Sequence, residues 1–274
     1  MTLIGSYWIQ IDVALGKQSD RFWMQDCAGK DQVVRSIMQG GWTQYEAPLP
    51  SLIAQLCQRW SPQFIDIGAN TGYYSLLAAC TGATHVWAFE PIDTIRDQFK
   101  LNCDESGFAR KTTISALALS SEKSVSKIYL PNDSHGLIET SASLNPDFRS
   151  EHSQVLQVDV STLDVFFSEE NLLELVGDVL IKIDVESHEH KVLMGADGVI
   201  SKKRPFIALE LLPGADRLYI GDFMRKNEYK IIHLKPQAQW QVTSQLAELS
   251  TVHRDHLLVP NESLSRFVQA LEQL

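Results

Sequence analysis

From residue 61 onward the chain alternates short apolar runs with amphipathic stretches. Phe64-Ile65-Asp66-Ile67 predicts a strand that runs into Gly68, and residues 72–81 predict a helix. His85-Val86-Trp87-Ala88-Phe89 predicts a second strand. Residues 93–106 predict a helix with Ile95, Phe99 and Leu101 to one side, and residues 112–119 a third strand. Residues 122–160 break the rhythm: 125–130 and 154–160 are strand-like, and the polar stretch 131–145 between them reads as a loop on a β-excursion. The alternation then resumes. Residues 179–185 are almost continuously apolar, as a strand buried on both faces requires. Residues 187–200 predict a helix with Val192, Leu193, Ala196 and Ile200 inward, and Phe206-Ile207-Ala208-Leu209 a further strand. Residues 229–234 and 256–259 look like a closing pair, and 262–274 a last helix. Strand–helix alternation of this kind predicts an α/β fold: a mostly parallel sheet with helices on both faces.

Residues 1–60 differ. They carry four of the six tryptophans (Trp8, Trp23, Trp42 and Trp60), a hairpin pattern with strands at 8–13 and 21–24, and a helix opened by Pro48 and Pro50. The expected organisation is an N-terminal extension over 1–60, a candidate substrate lid, followed by one α/β domain over 61–274. A chain of 274 residues fits that count.

Charge narrows the partners. Asp and Glu outnumber Lys and Arg by 34 to 24, for a net charge of −10, and no basic face is evident. Lys202-Lys203-Arg204 closes a predicted helix, where positive charge complements the dipole. No nucleic-acid partner is expected. Cys27, Cys57, Cys80 and Cys103 form no CxxC pair, no apolar run approaches the roughly 20 residues of a membrane helix, and the N-terminus lacks a leader pattern. The expectation is a reduced, cytoplasmic protein without a membrane span.

The chemistry concentrates at predicted strand ends, where open α/β sheets bind ligands. Asp66-Ile67-Gly68-Ala69-Asn70-Thr71-Gly72 joins strand to helix. Gly68 permits a turn that a side chain would crowd, and Gly72 permits close helix–strand approach. Ala69 and Asn70 stand where a dinucleotide fingerprint has its second glycine, and no GK[ST] follows. A ligand with one carboxylate and no phosphates fits this turn better, and S-adenosylmethionine (SAM) is one. Glu90, at the next strand end and 18 residues after Gly72, is spaced to accept both ribose hydroxyls, with Pro91 opening a helix. Lys182-Ile183-Asp184-Val185-Glu186-Ser187-His188-Glu189 delivers carboxylates and an imidazole to the same edge. Asp184, Glu186, His188 and His190 are metal-ligand types, but their spacing matches no standard pattern, and no metal is expected.

As a set, Asp66 to Ser75, Phe89-Glu90-Pro91, Ala118-Leu119-Ser120, Ile181 to Glu186 and Leu193-Met194-Gly195-Ala196 resemble the FkbM-type SAM-dependent methyltransferases over about residues 61–235. The resemblance implies a class I (Rossmann-like) methyltransferase fold, a seven-stranded sheet with one antiparallel strand. It also implies methyl transfer to an oxygen of a sugar, natural-product or polysaccharide intermediate. On it, Asp66, Gly68, Ala69, Asn70, Thr71, Gly72 and Tyr73 hold the methionine part, Glu90 the ribose, and Ala118 and Ser120 lie near the adenine. Asp184 faces the methyl-transfer centre. The family pattern reads D-V-E-G where this chain has Ser187, so a glycine-type backbone angle there would strain the serine.

A hydroxyl acceptor must lose its proton. His188, Glu186, Asp184 and Glu210 are the candidate bases, His188 first because an imidazole titrates near working pH. Trp42, Tyr45 and Glu46 are candidates to contact a small-molecule or glycan acceptor. Two other readings stay open: a methyltransferase-like binding module without catalysis, and a nicotinamide-dependent oxidoreductase, against which Ala69-Asn70 and the missing Tyr-x-x-x-Lys pair argue.

Overall fold

The computed structural model describes residues 7–15, 18–131, 141–147, 152–168, 174–235, 239–246 and 254–272. The chain opens with the hairpin β1 (Trp8–Leu15) and β2 (Gln18–Gln25), then helices α1 (Gln32–Gly40) and α2 (Leu49–Trp60). Asp31 caps α1, its carboxylate accepting from the Val34 amide at 2.9 Å, and α2 carries its proline in the first turn. The alternating region follows: β3 (Gln63–Ile67), α3 (Tyr73–Thr81), β4 (His85–Phe89), α4 (Asp93–Glu105) and β5 (Thr112–Ser115). The excursion comprises β6 (Ala118–Leu119), β7 (Ser124–Pro131) and β8 (His152–Ser161), then α5 (Leu163–Phe166). Next come β9 (Val179–Ile183), α6 (Glu189–Met194), α7 (Asp197–Lys203), β10 (Phe206–Glu210), α8 (Arg217–Lys226), β11 (Tyr229–Lys235), β12 (Gln239–Thr243), β13 (Asp255–Pro260) and α9 (Leu264–Leu271).

The main sheet has eight strands in the order β12-β11-β13-β10-β9-β3-β4-β5. Strands β3, β4, β5, β9 and β10 are parallel, and β13 runs antiparallel between β10 and β11. This is the expected α/β class I sheet with one addition: β12 pairs antiparallel on the outer edge of β11. Every side chain of β3, β9 and β10 is buried, because both sheet faces are covered.

One face packs against α6, α7 and α8 through Ile65, Ile181, Ile207, Leu193, Ile200 and Phe223. The other packs against α2, α3 and α4, and here the N-terminal residues join the same core: Ile11, Val13, Phe22, Met24, Val34 and Ile37 cluster with Phe64, Leu77 and Phe99. Full burial of one such side chain contributes about 1.5–3 kcal/mol. Polar ties fix the hairpin too. The Gln25 amide donates to Asn102 Oδ1 and the Trp23 amide to Ser106 Oγ, each at 2.9 Å.

Three expectations need correction, and a fourth falls partly outside the described residues. The third strand stops at Ser115, and Ala118–Leu119 instead pairs with β8 in a separate three-stranded sheet, β6-β8-β7. The helix expected over 187–200 is two helices. Gly195 lies so close to the excursion that a Cβ there would sit 2.0 Å from the Ser120 carbonyl, and Asp164 restarts α7 by accepting from the Gly198 and Val199 amides at 2.8 Å. The closing helix proper spans Leu264–Leu271, with 273–274 outside the described residues. Of the loop 131–145, residues 132–140 also lie outside them, while Ser143 pairs with Tyr129. Among the described residues no helix is long and apolar enough to cross a membrane.

Candidate functional site

The segment between β3 and α3 folds as the glycine spacing requires. Gly68 and Gly72 take φ of +83° and +94°, and the Gly68 and Ala69 amides donate to the Phe89 carbonyl at 3.1 and 3.0 Å. A Cβ on Gly68 would lie 1.9 Å from the Asp184 carbonyl oxygen; one on Gly72 would lie 2.1 Å from the Phe99 ring. The turn is therefore pressed against β9 on one side and α4 on the other. Glu90 faces it from the end of β4, accepting from the Asn70 amide at 3.0 Å and the Ile92 amide at 2.9 Å. Burial pushes its carboxyl up to about 7, against the pull of those N–H groups.

A cavity of about 400 Å³ opens at the carboxyl ends of β3, β4, β9 and β10. Of the sequence-derived residues, Gly68, Ala69, Asn70, Glu90, Pro91, Ala118, Asp184, Glu186, His188, Glu210, Tyr45 and Glu46 line it. Asp66, Thr71, Gly72, Tyr73, Ser120 and Trp42 do not. Asp66 is 1% exposed and accepts from Ser75 Oγ at 2.7 Å. The Thr71 carbonyl accepts from Asn102 Nδ2 at 2.9 Å, and the Tyr73 hydroxyl donates to the Trp42 carbonyl. Ser120 Oγ bonds His188 Nε2 at 2.9 Å.

At one end of the cavity the charges interlock. Lys182 Nζ lies 2.9 Å from Asp184 Oδ2 and 4.7 Å from the centre of the Tyr74 ring. Burial works against the Lys182 charge, but Asp184, Asp66 and Glu46 outweigh it and hold the ammonium well above its ordinary value. Burial likewise opposes the Asp184 charge, and Lys182, Glu210 and Arg254 together bring its carboxyl below the usual range. Glu210, buried beside Asp184, is pushed up to about 12 and keeps its proton, although Arg254 Nη1 lies 2.8 Å from Oε1. Glu46 reaches in from the N-terminal region with φ +51°, accepting from the Tyr74 hydroxyl at 2.9 Å. Asp255 is pushed up to about 8, by burial first and then by Glu46. His188 is depressed to about 4 by burial and by neighbouring His190 and Lys191.

Glu186 and Ser187 take φ of +55° and +71°, so the serine occupies a backbone conformation that suits glycine. Asp184, Glu186 and Glu210 each bring one carboxylate oxygen within 4.8 Å of the others, a geometry that could close on a cation. The spacing of residues 184–190 could not show this group, because Glu210 arrives from β10. Lys182 already neutralises Asp184, and Glu210 beside Arg254 keeps its proton, so two of the three members offer a cation no free charge.

Sequence reasoning assigned no role to Lys182, Tyr74 or Arg254, all of which line the cavity, or to Asp255 beside them. Lys182 had a signal, a lone charge within an apolar strand. Arg254 and Asp255 had none, since only the sheet order brings the start of β13 beside β10.

Among solved structures, the chain is similar to methyltransferase FkbM from Methylobacillus flagellatus KT, at 17% identity and a TM-score of 0.45, covering 72% of this chain and 43% of that one. It is also similar to an uncharacterised protein from Listeria monocytogenes (10% identity, TM-score 0.42, 79% of this chain and 68% of that one). A third likeness is to the B. subtilis tRNA methyltransferase TrmK (11% identity, TM-score 0.39, 79% and 67%). The chain thus spans less than half the length of the first of these structures. No curated protein matches the sequence at a significant level. The sequence profile of the methyltransferase FkbM domain matches residues 66–231, more than half of the chain, and the chain belongs to that family.

Proposed function

We propose that the protein is a cytoplasmic SAM-dependent methyltransferase that methylates an oxygen of a sugar, natural-product or polysaccharide intermediate. The observation that carries this reading is the joining of the glycine turn to Glu90. A carboxylate fixed by two amide donors faces a cavity whose neighbouring wall is the turn backbone. The residues fit the cofactor. Gly68 and Ala69 expose backbone to the cavity, Glu90 offers its outer lone pairs to a ribose, and Ile92, Leu117, Ala118 and Ile128 make an apolar slot for a base. When bound, SAM supplies an electrophilic methyl group on a sulfonium.

The chain's own part is to orient the acceptor, exclude water and take one proton. Asp184 suits the proton transfer better than His188. Lys182 holds Asp184 ionised at the cavity wall, whereas His188 Nε2 is tied to Ser120 Oγ. Tyr45 and Glu46, at the same end as Asp184, are the proposed acceptor contacts, with Trp42 supporting them through Tyr73. Gln32, Ser36, Tyr45 and Glu46 of the N-terminal extension are proposed to form the wall on the acceptor side.

Calorimetric titration with SAM and S-adenosylhomocysteine (SAH) tests the reading. Micromolar binding by the wild type, weakened at least about tenfold in Glu90→Ala, is expected for loss of a charged hydrogen-bonding group. A folded wild type that binds neither ligand overturns it. A screen of hydroxylated acceptors, sugars first, then follows.

A further inference from the structure

The turn after β9 holds two consecutive non-glycine residues in the left-handed region, Glu186 and Ser187. Such a conformation persists only where its surroundings impose it. Here the restraint comes from both sides. Above, Ser143 Oγ donates to the Glu186 carbonyl at 2.8 Å. Below lies Glu189, which does not line the cavity and has no task in the chemistry proposed. Its side chain is not used as a first-turn acid ordinarily is. It is 1% exposed and turns back upstream, where Oε1 accepts from the Ser187 amide at 3.1 Å and the Val185 amide at 3.3 Å.

The held segment borders the cofactor pocket directly. The Asp184 amide donates to the Ile67 carbonyl at 3.0 Å, and the Asp184 carbonyl fills the space beside Gly68. Val185 and Glu186 line the cavity. Relaxation of residues 185–187 toward ordinary φ values would swing Glu186 and push the Asp184 carbonyl against the glycine turn.

We propose that Glu189 is a positioning residue: its carboxylate, acting through the Val185 and Ser187 N–H groups, holds the left-handed turn that sets Asp184 and Glu186 at the pocket. This rests on the reading of that pocket as the SAM site. The chain needs the hold because residues 186 and 187 both carry side chains at positive φ, with serine at 187. A glycine would adopt the same φ without it.

SAH titration and thermal melting of the wild type, E189A, E189Q, S187G and E189A/S187G test the proposal. E189A is expected to weaken SAH about tenfold, as for loss of a charged acceptor serving two donors. The double variant is expected to recover to within about threefold of the wild type, because glycine relieves the turn. E189Q, which retains one acceptor oxygen without the charge, falls between and carries the test if E189A does not fold. An E189A or E189Q protein that melts earlier but binds SAH like the wild type confines Glu189 to stability and overturns the proposal. So does a binding loss that S187G leaves untouched. A wild type that binds no SAH overturns the reading of the pocket itself, and the wild-type titration tells that failure apart.

Discussion

Replacing Lys182 with methionine removes a buried cation and leaves its partners in place. The ammonium, 4% exposed, lies 2.9 Å from Asp184 and is held protonated by Asp184, Asp66 and Glu46. Methionine fills much the same volume, so the loss is electrostatic rather than one of packing. Removing one partner of a buried pair costs about 3–5 kcal/mol. For a domain of this size that is a fall in Tm of about 6–15 °C at pH 8. The effect has a signed pH dependence. In the wild type Asp184 titrates below its unfolded value, so its charge adds stability above about pH 4. Without Lys182, burial dominates and raises that carboxyl, and the folded variant takes up a proton as the solution is acidified. The gap in Tm between wild type and variant should therefore narrow between pH 8 and pH 5. Differential scanning calorimetry at pH 5, 6.5 and 8 measures it. A fall of under about 2 °C at pH 8, or a gap that stays constant across the range, would refute the argument.

Two further outcomes follow from the same geometry. Gly68→Ala places a methyl group 1.9 Å from the Asp184 carbonyl at φ +83°, and SAH affinity should drop at least about thirtyfold while far-UV circular dichroism is retained; binding within threefold of wild type would show that the turn yields. Raised carboxyl values mean that the folded state holds extra protons: Glu90 and Glu189 are pushed up to about 7 and Asp255 to about 8, all by burial first. Stability is accordingly lost as pH rises through those values, and Tm should be higher at pH 6 than at pH 8. His188 and His256, both depressed to about 4, act in the opposite sense below about pH 6.5 and should flatten the curve toward pH 5. A Tm that is higher at pH 8 than at pH 6 would contradict this assignment.

The parallel half of the fold was legible because its strands are buried on both faces and read as apolar runs, as at 64–67 and 179–185. The glycine turn, Glu90 and the acidic run after β9 were legible because strand ends are where such sheets bind ligands. What the sequence hid depended on long-range placement. Nothing local says that Ala118–Leu119 leaves the main sheet, that Gly195 must meet the Ser120 carbonyl, or that Arg254 lands on Glu210. The choice among candidate bases was hidden for the same reason: the Ser120 partner that occupies His188 is 68 residues away. The D-V-E-S departure, by contrast, flagged the left-handed backbone at Ser187 in advance, since a glycine in that place signals positive φ.

The strand order also sets a timetable for synthesis. β3 sits between β4, made almost at once, and β9, whose pairing partner for Gln63 is Val179. At about 5–20 residues per second, the ribosome needs on the order of ten seconds to reach it. Throughout that interval the nascent chain carries a central strand, Phe64-Ile65-Asp66-Ile67, with one edge unpaired and one face uncovered. That is the combination that recruits other strands or a holding chaperone. The N-terminal hairpin, which covers the α3 and α4 side, emerges beforehand and can shield only that side. Slowing translation between codons 70 and 180 should therefore raise the aggregated fraction more than slowing it after codon 183.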